Sequence, residues 1–184
     1  MEGVTKMNKG LISGLVLLAL GIVCGLLLSV VNYFTAPKIK EVEDAIKYEA
    51  LAEFYTLADY DLSEVEGTGD FGTIFILKAK GTETIEALVY TVSAQGYSGA
   101  NQKIQMLIAV NADLSVEGYK VVSHAESTGF GADIVNNDFG VSEIDDLSGF
   151  DSVAGVTETS NGIKTCFNLV GQRIAADLGG GLSE

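Results

Sequence analysis

Three hydroxyls crowd one short stretch of this 184-residue chain, Asp151-Ser-Val-Ala-Gly-Val-Thr-Glu-Thr-Ser-Asn-Gly-Ile163: Thr157, Thr159 and Ser160. They precede a segment in which Ile163, Phe167, Val170, Ile174 and Leu178 recur at helical spacing, ended by Gly179 to Gly181. Hydroxyls at a helix start can do one of two things. They cap the helix, because Ser and Thr oxygens accept from its first free backbone N–H groups. Or they help to hold an anion, which the same N–H groups and the helix dipole favour.

A second polar run, Val121-Val-Ser-His-Ala-Glu-Ser-Thr-Gly-Phe-Gly131, follows a strand-like segment. Its His, Glu, Thr and two glycines make a loop where backbone can come close to a ligand. Taken singly, His124 reads as a surface or satisfied core residue, and Gly129-Phe-Gly131 reads as a turn. The joint occurrence of this loop with the Thr157 stretch is the more specific signal.

Composition removes several chemistries. One histidine excludes a multi-histidine metal site, and no metal is expected. Cys24 and Cys166 lie far apart, which argues against a disulfide framework, a zinc ribbon or an iron–sulfur cluster. The net charge is −14, and from Glu41 onward 7 basic residues face 24 acidic ones. Such a domain repels nucleic acid and anionic headgroups, so no nucleic-acid partner is expected. No Gly-x-Gly-x-x-Gly follows a strand, which places hydride chemistry with NAD outside this chain.

The elements that must position the candidate residues are readable from hydrophobic pattern. No charge occurs between Lys9 and Lys38, and Leu11 to Val31 is apolar throughout. At about 1.5 Å per residue this run crosses a hydrocarbon core of about 30 Å. The pattern divides the chain into a short tail (1–9), a transmembrane signal-anchor (10–36), an amphipathic stalk or first helix (37–57) and one domain (58–184). Lys6 and Lys9 before the run nearly balance Lys38, Lys40 and Lys47 after it, so charge favours a cytoplasmic N-terminus only slightly. Ile39, Val42, Ile46, Leu51, Phe54 and Tyr55 form the stripe of the stalk. Asp59 to Gly72 is acidic and glycine-rich and reads as a loop. Strands are expected over Thr73–Lys80, Glu86–Ala94, Lys103–Val110 and Val116–Ser123, with connections short enough for antiparallel neighbours. The fold class is therefore α+β: one N-terminal transmembrane helix, then a mainly antiparallel sheet flanked by helices.

The order Asp151-x-x-Ala154-Gly155-Val156-Thr157, continuing Glu-Thr159-Ser160, resembles a flavinylation motif, Asp-x-x-Ser/Thr-Gly-Ala-Thr-x-Thr/Ser-Ser. His124-x-Glu126-Ser-Thr128-Gly129-Phe-Gly131 resembles the companion loop His-x-Glu-Thr-Pro-Gly-Leu-Gly, and the Ala87 to Gly99 segment is also similar. These motifs mark FMN-binding domains such as the G subunit of Rnf electron-transport complexes and the C subunit of sodium-translocating NADH:quinone reductases. Ala154, Val156, Thr128 and Phe130 depart from the usual residues.

The resemblance implies covalent FMN, joined by a phosphoester to Thr157 by a separate flavin transferase that uses FAD and magnesium outside the cytoplasm. It implies that Asp151 belongs to the sequence the transferase recognises. Gly155, Val156, Thr159, Ser160, Glu126, Ser127, Thr128 and Gly129 would contact the cofactor. It further implies an extracytoplasmic flavin domain on a single-pass cell-membrane anchor. The chain would be a redox subunit, not a self-contained enzyme, in a complex that passes electrons between ferredoxin and NAD while moving cations. Two alternatives stay open: a stand-alone extracytoplasmic flavin shuttle, and an anchored binding domain without flavin in which Thr157 only caps a helix.

Overall fold

The computed structural model describes residues 9–99, 103–127, 129–134 and 137–181. Residues 1–8 of the expected tail and Thr128 of the expected site lie outside the described residues.

Helix α1 runs from Lys9 to Phe54, with Pro37 inside it. Its N-terminal part is a candidate membrane span, long and apolar enough to cross a bilayer, with Leu17, Leu20, Leu27 and Leu28 exposed along it. The chain divides into two compact units, the second beginning at Ile46. Of the expected stripe, Ile39 and Val42 are exposed, and burial begins at Ala50 and Leu51.

Five strands follow, β1 (Tyr60–Glu66), β2 (Phe71–Ala79), β3 (Ile85–Ala94), β4 (Ile104–Asn111) and β5 (Val116–Ser123). They pair antiparallel in sequence order. The domain is α+β, as its pattern implies. The expected loop over 59–72 is a correction, because Tyr60–Glu66 is an edge strand in register with β2, from Tyr60↔Ala79 to Glu66↔Thr73. The strand has few apolar residues, split between its faces: Tyr60 and Leu62 pack on one core and Val65 on the other, while Asp61, Glu64 and Glu66 are exposed.

The central strands are apolar on both faces. Leu88, Tyr90, Val92, Met106, Ile108 and Val110 supply one core, and Val89, Leu107 and Ala109 supply the other. The last turn of α1 covers the second face through Ala50 and Leu51, with Tyr55 just beyond it. Tyr55 donates to Asn111 Oδ1 (2.9 Å), and Lys120 pairs with Glu53 (2.8 Å). A one-turn helix, α2 (Phe130–Asp133), follows β5. Helix α3 (Thr157–Ala176) covers the first face, burying Ile163, Cys166, Phe167, Val170 and Ile174 along one stripe.

Helix α3 passes into a turn, Asp177–Gly181, in which Gly180 has φ +96°. The buried Asp177 carboxylate accepts from Tyr90 Oη (2.9 Å) and Arg173 Nε (2.7 Å), so its charge is compensated within the core. Burial, then the Asp177 charge, pushes the Tyr90 phenol well above its ordinary range.

Two outcomes are expected. Phe167→Ala removes a fully buried ring and lowers unfolding stability by about 3–5 kcal/mol, measured by denaturant titration of the detergent-solubilised chain. Burial, then the negative charge of Asp70, pushes the Cys166 thiol up to about 12. At pH 8 almost no thiolate forms, so iodoacetamide leaves Cys166 unmodified in the folded chain. Peptide mass spectrometry should find it alkylated only after denaturation.

Candidate functional site

The start of α3 is built from the turn that precedes it. Asp151 N–H donates to Phe139 O (2.9 Å) and Val156 N–H to Val153 O (3.3 Å), folding the chain sharply at Gly155. Gly155 has φ +87° although a Cβ there would meet nothing within 4 Å. Backbone conformation, not space, requires glycine at this point.

The helix then begins at Thr157, with Val156 as the N-cap residue and no side-chain cap. This corrects the expectation that Thr159 and Ser160 cap it. Both lie inside the first turn, one helical step before Ile163, so their side chains continue the buried stripe. Ser160 Oγ accepts from Val153 N–H (3.2 Å), and Thr159 Oγ1 donates to Glu126 Oε2 (2.7 Å). Thr159 and Ser160 are 2% and 0% exposed, whereas Thr157 is exposed. Ser160 N–H closes the first helical bond, to Val156 O (2.9 Å). The N–H groups of Thr157, Glu158 and Thr159 precede that bond and have no intrahelical carbonyl to reach.

The companion loop meets this helix start. Glu126 is buried, and its Oε1 accepts from Ser98 N–H (3.4 Å) in the β3–β4 loop. Ser98 Oγ donates to Ala125 O (2.6 Å), and Glu126 N–H donates to His124 Nδ1 (3.3 Å). Glycines clear the space: a Cβ on Gly96 would stand 2.4 Å from Glu126 Oε1, and one on Gly131 would stand 2.8 Å from Glu126 Cβ. A Cβ on Gly162 would stand 2.6 Å from Gln95 O, so α3 approaches the β3–β4 loop closely only because that residue has no side chain.

Between these segments lies a cavity of about 490 Å³, walled by Tyr97, by Glu126, Ser127 and Gly131, and by Gly155 through Thr159. Six residues expected at the site line it: Glu126, Ser127, Gly155, Val156, Thr157 and Thr159. Ser160 is spent inside the protein, Gly129 (φ +105°) lies outside the lining, and Asp151 is exposed and is not among the lining residues. Two lining residues are additions, Tyr97 and Glu158, while Gly131 belongs to the companion loop expected to approach a ligand. Tyr97 is 70% exposed, a large aromatic ring left in solvent beside a cavity. Its place in the Gly-Tyr-Ser-Gly turn after β3 is the one signal the sequence offers for it.

Residues 96–170 match the FMN-binding domain family, and residues 5–54 match the RnfG N-terminal region. The 96–170 segment of the chain belongs to the FMN-binding domain family. The G subunit of a proton-translocating ferredoxin:NAD(+) oxidoreductase complex from Clostridium ljungdahlii is 30% identical over 117 residues, 64% of this chain. The G subunit of an ion-translocating oxidoreductase complex from Cereibacter sphaeroides is 31% identical over 129 residues, 67% of this chain. The chain spans 58% of the length of each relative. The FMN-binding domain match begins at Gly96, the residue that makes room for Glu126, and takes in every residue that lines the cavity.

Because the left-handed conformation of Gly155 is unfavourable for other residues, Gly155→Ala is expected to lower stability by about 1–2 kcal/mol. Thermal unfolding followed by circular dichroism measures it, and an unchanged midpoint would show that the turn rearranges freely.

Proposed function

We propose that this chain is a membrane-anchored electron-transfer subunit of an Rnf-type complex, with FMN joined through its phosphate to Thr157. One observation carries the reading: of three neighbouring hydroxyls, only Thr157 is exposed on the cavity, while Thr159 and Ser160 are buried and engaged. The cavity's residues fit the cofactor. Its volume falls within the ~300–1,000 Å³ of small-molecule sites. Tyr97 offers a flat aromatic surface, and the free N–H groups of the first turn of α3 suit a phosphate. Bound FMN supplies reversible electron transfer at its ring system. The chain's own residues anchor it, orient it and shield one side of it.

Attachment balances as a phosphoryl transfer from FAD. The Thr157 Oγ–phosphorus bond forms, the pyrophosphate P–O bond breaks, AMP leaves, and the hydroxyl proton passes to the transferase or solvent. Asp151 is exposed and its backbone is fixed to Phe139, which suits a recognition role for the transferase. The N-terminal basic residues then stand on the cytoplasmic side and the flavin domain outside. Partners are the other membrane and peripheral subunits of the complex, which couple electron flow between ferredoxin and NAD to cation transport.

The test is direct. Co-expressed with a flavin transferase and run on a denaturing gel, the chain is expected to show flavin fluorescence, and Thr157→Ala to lose it. A dark band from the unmutated chain would reject covalent attachment.

A further inference from the structure

We infer that Glu126 is the positioning residue that selects which hydroxyl becomes the flavin anchor. This rests on the reading of Thr157 as the acceptor. The first turn of α3 carries two threonines, and chemically their hydroxyls are equivalent. The Glu126 carboxylate distinguishes them by taking the Thr159 hydroxyl as a donor at 2.7 Å and holding it out of the solvent. Its other oxygen holds the Ser98 amide, beside Tyr97. One side chain therefore ties together the three segments that wall the cavity.

A purely structural role explains this arrangement poorly. Burying a carboxylate is costly, and among the described residues no ion pair offsets the charge of Glu126. Two glycines, Gly96 and Gly131, give up their side chains to admit it. A direct phosphate contact is also disfavoured, because the carboxylate and the phosphoester carry like charges. What the carboxylate does well is accept: a charge-assisted bond to Thr159 fixes the rotation of the turn. Thr157, two residues earlier, is then presented to the cavity. In the transfer from FAD, of the two threonine oxygens in this turn only that of Thr157 is free to attack phosphorus as AMP leaves.

The test uses the full-length chain and three variants, Thr159→Val, Glu126→Gln and Glu126→Leu. Without transferase, hydrogen exchange of the Ser160 amide, which closes the first helical bond, and of the amides just after it is expected to rise about tenfold in Thr159→Val and Glu126→Leu, and little in Glu126→Gln, whose amide oxygen still accepts. With transferase and FAD, peptide mass spectrometry is expected to place flavin only on Thr157 in the unmutated chain. The labelled fraction at Thr157 should fall about tenfold in Thr159→Val and Glu126→Leu, with residual flavin in Glu126→Leu shared with Thr159, and recover in Glu126→Gln. Thr159→Val is nearly isosteric, so it guards against a folding defect. Faster exchange with undiminished labelling at Thr157 alone would make Glu126 merely structural and overturn the inference. Unchanged exchange would overturn it too. If the unmutated chain takes no flavin, the anchor reading fails, while the exchange measurement still decides whether Glu126 holds the turn.

Discussion

A sheet that is apolar on both faces must be covered twice, and this requirement shapes the domain. β3 and β4 alternate large side chains into two separate cores, so neither face can be left to water. The end of α1 takes one face and α3 the other. Antiparallel order then does the rest. The end of β3, the start of β4 and the end of β5 all lie at one end of the sheet. Helix α3, laid over that sheet with Gly162 against Gln95, delivers its N-terminus to the same end. The cavity is therefore placed by topology before any residue of the site is specified.

Two buried carboxylates fix α3 in place, one near each end. Asp177 holds the C-terminal end to β3 through Tyr90 and is balanced by Arg173, itself 4.9 Å above the Phe71 ring. Glu126 holds the N-terminal end to the two loops and has hydrogen bonds but, among the described residues, no ion-pair cation. The contrast separates a structural pin from a site residue. The compensated charge sits in the closed core, and the uncompensated one sits at the cavity wall.

Much of this is legible in the sequence, and the failures have physical causes. Four strands are readable because β2 to β5 carry dense Val, Ile and Leu between turn residues. β1 is hidden because an edge strand shows acidic residues to solvent and so resembles a loop. Thr159 and Ser160 look like caps because Ser and Thr are common there. Sequence does not show that the helix already starts at Thr157 and turns both side chains inward. The cavity's glycines and Glu126 are visible as a motif, but not the steric relation between them. Tyr97 is marked only by its Gly-Tyr-Ser-Gly turn, because an exposed aromatic after a strand is ordinary until a cavity is seen beside it.

The acidic outer strand has a further consequence. β1 ends the sheet, and an open sheet edge is a template on which another chain can add a strand. Asp61, Glu64 and Glu66 place three like charges along that margin. A second copy approaching it in an antiparallel manner would bring acid against acid, which disfavours pairing. In a protein whose N-terminal segment can concentrate it in the plane of a bilayer, such self-association would otherwise be favoured by crowding alone. At this edge of the sheet, the strand that most resembles a loop thus disfavours pairing with a second copy.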